Sequence, residues 1–250
     1  MKQIIFILTI ICSYVSSFAG VIQVGEELIY DVSYLSFKLG SIKIITLPDT
    51  IINNEKVHHS KVFIQSNPNI PFYSLKSIFN SYMDTSLTEG RYFECNSKEQ
   101  DQLWGFQKIT FRDKYSSNPY IRNIKYYDNK VLNDTSYYIS EKILDGSTLF
   151  FYARKNAHKT MKVKLPTVMD LSIANTYINF TGKMEKVSIA LYKNPVQCYY
   201  IEGNGDWSAL YGLGGKFKGW FTDDDAHIPI KAQMNVYLGS INIELKSVKR

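Results

Sequence analysis

Alternation of apolar and polar side chains is the dominant signal in this chain. Leu28, Tyr30, Val32 and Tyr34 share one parity, and Ile29, Asp31 and Ser33 the other, which predicts a strand. Gly40 leads into a second strand over Ser41-Ile42-Lys43-Ile44, ending before Pro48 and Asp49, and Glu55 to Gln65 reads as a third. Further strand-like runs lie near Arg91–Ser97, Trp104–Arg112, Tyr120–Tyr127, Met161–Leu165, Tyr177–Phe180, Lys186–Tyr192 and Gln197–Glu202. Turn-forming pairs punctuate them, among them Asn53-Asn54, Asn67-Pro68, Asp128-Asn129, Asn194-Pro195 and Asn204-Gly205. Many short strands with regular turns predict antiparallel β structure. Near the C-terminus the apolar parity switches between Val236/Leu238 and Ile241/Ile243/Leu245. One inserted residue would keep both sets on the core face, so a β-bulge is expected at or next to Gly239.

Two segments break the alternation. Asp145-Gly146-Ser147-Thr148 followed by Leu149-Phe150-Phe151-Tyr152-Ala153-Arg154 places capping residues before an apolar run. This predicts a short helix near 147–156, capped by Asp145 or Ser147. Pro71 to Ile78 reads as a helical turn.

The N-terminal run has a different character. Lys2 precedes the apolar stretch Ile4–Ile11, and Ser17-Phe18-Ala19 puts small residues at −3 and −1 of a cut before Gly20. That three-part pattern predicts a secretory signal peptide over 1–19 and one mature domain over 20–250. The apolar run falls short of the roughly 20 residues a membrane span needs. Ile10 and Ile11 before Cys12 are too large for a lipidation site. No later segment reads as transmembrane.

Composition sharpens the picture. Hydrophobic residues make up 45% and charged residues 21%, which is a folded rather than a disordered chain. The 19 Tyr and 14 Phe favour a pleated, half-buried surface. The net charge of +6 is scattered; Lys159, Lys162 and Lys164 alternate with apolar residues, as on the solvated face of a strand. No nucleic-acid-binding module accompanies them.

Candidate chemistry is sparse. Asp223-Asp224-Asp225 offers three carboxylates without the spacing of a calcium loop, and reads best as a turn in which one Asp caps backbone amides. Ile228-Pro229-Ile230 fits the start of an edge strand. His58 and His59 are adjacent and face opposite sides of a strand; His158 and His227 stand alone in sequence. Gly212-Leu213-Gly214-Gly215 lacks the context of a phosphate-binding loop and reads as a flexible hairpin or loop. Ser147 lacks a nucleophile elbow. Cys95 and Cys198 admit two readings in an exported chain, a disulfide or two buried thiols.

Three stretches together resemble the bacterial DUF3108 family. The first is Val24-Gly25-Glu26-Glu27-Leu28-Ile29-Tyr30 with Gly40 following. The second is Asp145 to Arg154. The third runs from Gly219-Trp220-Phe221 through Asp223, Asp224 and Pro229 to Leu238-Gly239-Ser240-Ile241. The family carries Arg near the position of His227, so no charge role transfers there. The resemblance implies export and an all-β, strongly curved antiparallel sheet or barrel-like domain. It assigns no activity. Gly25, Glu26, Tyr30, Arg154, Trp220, Asp223, Asp224, Pro229 and Gly239 are family-motif positions of unknown role.

The expectation is a noncatalytic protein of the bacterial periplasm or cell envelope. It would bind a lipid or other hydrophobic ligand on a concave, aromatic-rich sheet face. The alternative is a structural or assembly factor that binds an envelope protein through an edge strand. A metal-dependent hydrolase built on Asp223–Asp225 ranks third. No catalytic residue, cofactor or metal set is expected.

Overall fold

The computed structural model describes residues 20–70, 74–99, 103–111, 120–139, 141–206, 213–236 and 239–250. The signal-peptide reading of residues 1–19 lies outside them, as do residues 71–73 and Leu238. Strands in chain order are β1 (Glu27–Tyr34), β2 (Phe37–Ile52), β3 (Glu55–Ser66), β4 (Leu75–Asp84), β5 (Gly90–Glu99), β6 (Gly105–Thr110), β7 (Tyr120–Tyr127) and β8 (Lys130–Tyr138). Helix α1 (Gly146–Asn156) follows. Then come β9 (Thr160–Met169), β10 (Ser172–Val187), β11 (Val196–Gly205), β12 (Leu213–Thr222), β13 (Pro229–Val236) and β14 (Ser240–Lys249).

All fourteen strands form one antiparallel sheet in the order β8-β7-β6-β5-β4-β3-β2-β1-β14-β13-β12-β11-β10-β9. Two meanders are therefore sewn together by the pairing of the first strand with the last, with Tyr30 opposite Leu245. Both edges, β8 and β9, flank α1 in sequence. The sheet curls without closing. In place of a β8–β9 ladder, the β9–β10 turn docks on β6–β8. Gln107 Nε2 and Asn123 Nδ2 each donate to the Asp170 carbonyl at 2.7 Å, and the Tyr137 hydroxyl donates to the Leu171 carbonyl. Leu144, just before α1, forms a parallel bridge with Thr167 of β9.

The core follows the predicted parity. Leu28, Tyr30, Ile44, Val62, Met83, Phe151, Ile230 and Leu245 belong to one buried cluster beneath α1. Each large apolar side chain there stabilises the fold by about 2 kcal/mol relative to exposure. A second cluster joins Ala153 and Ala157 of the helix end to Ile178, Phe180, Ile201 and Phe221.

Several elements differ from expectation for local physical reasons. β2 continues through Pro48, with the ladder register shifting between Leu47 and Thr50, because a bulge accommodates the missing amide hydrogen. β10 is one long strand whose register shifts between Phe180 and Met184, around Gly182 with φ +66°. Residues 188–195 leave the ladder, and Ile189 and Tyr192 pack on the core from a loop. Leu75–Ile78 is β-strand, not helical turn. Leu213-Gly214-Gly215 lies within β12, not in a loop. β13 is an interior strand, so Pro229 begins a central strand rather than an edge; at its first residue little of the ladder is lost. Gly239, at φ +85°, belongs to the β13–β14 hairpin, where Asn235 faces Ser240. Leu238, on which the expected parity switch turns, lies outside the described residues.

Candidate functional site

Helix α1 organises the interior. Asp145 caps it: its Oδ1 accepts from the Ser147 and Thr148 amides and from the Ser81 hydroxyl, and its Oδ2 from the Thr148 hydroxyl at 2.6 Å. Ser81 belongs to β4, so the cap also fixes the helix to the sheet. Thr148, Phe151 and Arg154 recur every three residues and are fully buried, which gives the helix one inward stripe.

Arg154 is the largest fully buried side chain described. Its Nη1 and Nη2 donate to Glu26 Oε1 and Oε2 at 2.6 and 3.1 Å. Its Nε and Nη2 donate to the Ala226 carbonyl at 3.1 and 2.9 Å. Phe150 and Phe151 lie over the guanidinium, with ring centroids 5.7 and 5.5 Å from its central carbon. Arg250 Nε reaches the same Glu26 carboxylate at 2.7 Å, and its Nη2 donates to the Gly20 carbonyl. Glu26 is held for this contact by Gly25, whose φ of +88° suits glycine and whose amide donates to Thr46 of β2. The Ala226 carbonyl is presented by the acidic turn. There Asp224 Oδ1 accepts from the Thr222 hydroxyl and from the Ala226 and His227 amides at 2.8–3.0 Å. One residue from each of the three motif stretches thus meets at a single buried clamp. Tyr30 lies beside it. Burial pushes its hydroxyl pKa far above the ordinary value, while the charge of Arg154 pulls the other way.

The other motif positions serve the frame. Trp220 Nε1 donates to Glu185 at 2.6 Å, and the ring packs against Tyr200. Asp223 raises the pKa of the Tyr199 hydroxyl by accepting its hydrogen bond. His227 stacks on His158, ring centroids 5.0 Å apart, which brings two sequence-distant histidines together. Burial, with the neighbouring His158 second, holds His227 below the ordinary imidazole value. His58 and His59 diverge as expected: His58 pairs with Asp49 at 2.7 Å, and His59 stacks on Tyr82. Among the described residues no cluster of three His, Cys, Asp or Glu has metal-binding geometry. Of the two readings for the cysteines, the structure has the buried thiols and not the disulfide. Cys95 on β5 and Cys198 on β11 stand eight places apart in the sheet order as free, buried thiols. Burial pushes both up to about 12.

Between the sheet and α1 the packing leaves partly open, largely apolar clefts. A cavity of about 330 Å³ lies between the sheet and α1, lined by Tyr30, Ile42, Leu149, Phe150, Ile178 and Met234 among others. A second, of about 360 Å³, has an apolar floor that includes Val62, Phe79 and Phe93. Its other walls include Gln107, Lys125 and Asp170. Lys125 Nζ pairs with Asp170 Oδ1 at 3.0 Å. Arg250 and the Gln107–Asn123–Asp170 lock escaped the sequence reading. Gln107 and Asn123 could have been flagged as polar residues at inward parity on two strands that were predicted.

Among the described residues no helix is long and apolar enough to cross a membrane. No curated protein matches the chain. The fold is similar to a crystal structure of a β-barrel-like protein of the DUF1849 domain of unknown function from Brucella abortus. The TM-score is 0.59 at 10% identity, covering 92% of this chain and 98% of that one. A weaker likeness, TM-score 0.40 at 7% identity over 92% of this chain and 98% of the other, links it to a protein from Bacteroides fragilis with YmcC-like fold. The family model for a protein of unknown function, DUF3108, matches residues 29–246, which contain Tyr30, Arg154 and the acidic turn. The chain belongs to the DUF3108 family.

Proposed function

We propose that this protein is a noncatalytic envelope protein that holds a lipid or similar hydrophobic ligand inside its curled sheet, after export to the bacterial periplasm or cell envelope. The apolar cavity between the concave face and α1 carries this reading. Protein interiors normally pack without voids much larger than a water molecule. A space of about 330 Å³ beside the half-buried Leu149 and Phe150 is instead the size of a small-molecule site. The N-terminal pattern over residues 1–19 supports the compartment.

Two measurements test the reading. Native mass spectrometry of protein extracted gently from its own host should find a lipid-sized mass that denaturation releases; consistently ligand-free protein would contradict it. Terminal sequencing of the same material should begin at Gly20, and a chain that starts at Met1 would contradict the export step.

A second reading rests on β8. It is an edge strand of the sheet, with Val131, Leu132 and Tyr138 exposed at 56%, 63% and 80%. Such an edge suits strand addition by an envelope protein. A photocrosslinker placed at Leu132 should capture one defined protein in the native envelope, and a blank result would dismiss this reading.

A further inference from the structure

The two cavities are walled by four residues in common: Ile44, Gly146, Phe150 and Met169. They meet at the first turn of α1. Gly146 there is exposed, and a Cβ built on it would find no atom within 4 Å, so the junction is open space. The two ends differ in chemistry. The end near Tyr30 is almost wholly apolar, walled by Ile42, Leu149, Ile178, Met234 and Ile243. The end near Cys95 adds Ser97, Glu99, Gln107, Lys125 and Asp170 to its apolar floor. One of its charges stands on a fixed backbone. The Asp170 backbone, at φ +50°, is held by Gln107 and by the fully buried Asn123, and its carboxylate meets Lys125. Lys125 and Asp170 keep 36% and 42% of their side-chain surface exposed, so both remain accessible to a ligand. The rim therefore offers one cation and, with Glu99, two carboxylates.

We infer that the two cavities form one continuous site for a single-chain zwitterionic amphiphile. Its chain threads past Gly146 and Phe150 into the apolar end. Its head lies at the rim, with the anionic group on Lys125 and the ammonium on Asp170 and Glu99. This rests on the hydrophobic-ligand reading above and narrows it to a ligand class and an orientation. A free fatty acid fits the rim less well, because its lone carboxylate meets two like charges.

The test is a set of dissociation constants for the full mature chain, read from displacement of a dansyl fatty acid. Competitors are octanoyl- and palmitoyl-lysophosphatidylethanolamine, palmitoyl-lysophosphatidylglycerol and palmitate. Palmitoyl-lysophosphatidylethanolamine should bind about tenfold more tightly than the other two palmitoyl ligands, through its charge-assisted contacts. Affinity should rise steadily with chain length, at most roughly fourfold per methylene buried. Gly146→Leu should weaken palmitoyl ligands about tenfold by filling the junction, and octanoyl ligands far less. Lys125→Ala and Asp170→Asn should erase the head-group preference and keep the chain-length dependence. Equal binding of the three palmitoyl head groups, or no gain from octanoyl to palmitoyl, overturns the inference with no variant needed. Failure of every amphiphile, the dansyl probe included, overturns the hydrophobic-ligand reading itself.

Discussion

Two charged clusters face the interior of this sheet, and they are built in opposite ways. Around Arg154 the charges are dry. The guanidinium and the Glu26 carboxylate are 0% and 1% exposed, and four hydrogen bonds tie the arginine to Glu26 and Ala226. Around Lys125 the charges are wet, and a single contact of 3.0 Å joins the lysine to Asp170. A buried pair is costly to break because the survivor stays desolvated, whereas an exposed pair exchanges its partner for water at little cost. The first cluster fastens the two meanders and α1 to one another. The second leaves its charges free to meet a ligand.

The largest effect should come from breaking the clamp on one side only. Arg154→Met leaves Glu26 buried with only part of its compensation and should cost about 3–5 kcal/mol in urea unfolding. The double variant Arg154→Met with Glu26→Leu removes both charges and should recover much of that loss. A double variant as unstable as the single one would mean that the pair's geometry, not its desolvation, sets the cost. Next comes Asp145→Ala, which removes the N-cap and its tie to Ser81 and should cost about 2 kcal/mol. Lys125→Ala should cost less than ~1 kcal/mol in the same assay. A larger loss would erase the contrast between the clusters.

A pH effect of intermediate size follows from His227 and His59, whose pKa values lie below the ordinary 6.5. The unfolded chain takes up these protons first as pH falls. Stability should therefore decline as pH drops through about 6.5 and level off below the folded-state values, with at most ~1.4 kcal/mol per pH unit for each group. His227→Gln should flatten the slope. The smallest effect concerns the thiols. Burial holds Cys95 and Cys198 up to about 12, so native protein should resist alkylation at neutral pH, and its unfolding should not change with reductant.

Much of the frame was legible because its signals are local. The alternation from Leu28 to Tyr34 and the run Tyr120–Tyr127 mark their strands, and the cap at Asp145 marks the helix. The failures also have local causes. Pro48 and Gly182 sit at irregularities that a long strand absorbs without ending. β8 is an edge strand whose sheltered positions are Asn133, Thr135 and Tyr137 while Val131 and Leu132 are exposed, so no apolar alternation marks it. β4 carries Ser77 and Ser81 at buried positions, which dilutes its apolar parity. The clamp was legible only as motif positions. Glu26 and Arg154 lie 128 residues apart, and only the β1–β14 pairing brings Arg250 to the same carboxylate. The hollow interior has no local signature, because residues that line a cavity and residues that fill a core have the same polarity.

The space beneath α1 is open in the folded protein, and Gly146, which lines both of its parts, is the place to probe it. The decisive measurement is equilibrium urea unfolding of ligand-free wild type and Gly146→Leu. If the interior is hollow, the leucine enters empty space next to Phe150 and replaces a poor helix former, so the variant should be as stable as wild type or more stable by about 1 kcal/mol. If the variant is instead destabilised by about 2 kcal/mol or more, as overpacking would cause, the space beside Phe150 is filled and the two cavities do not connect.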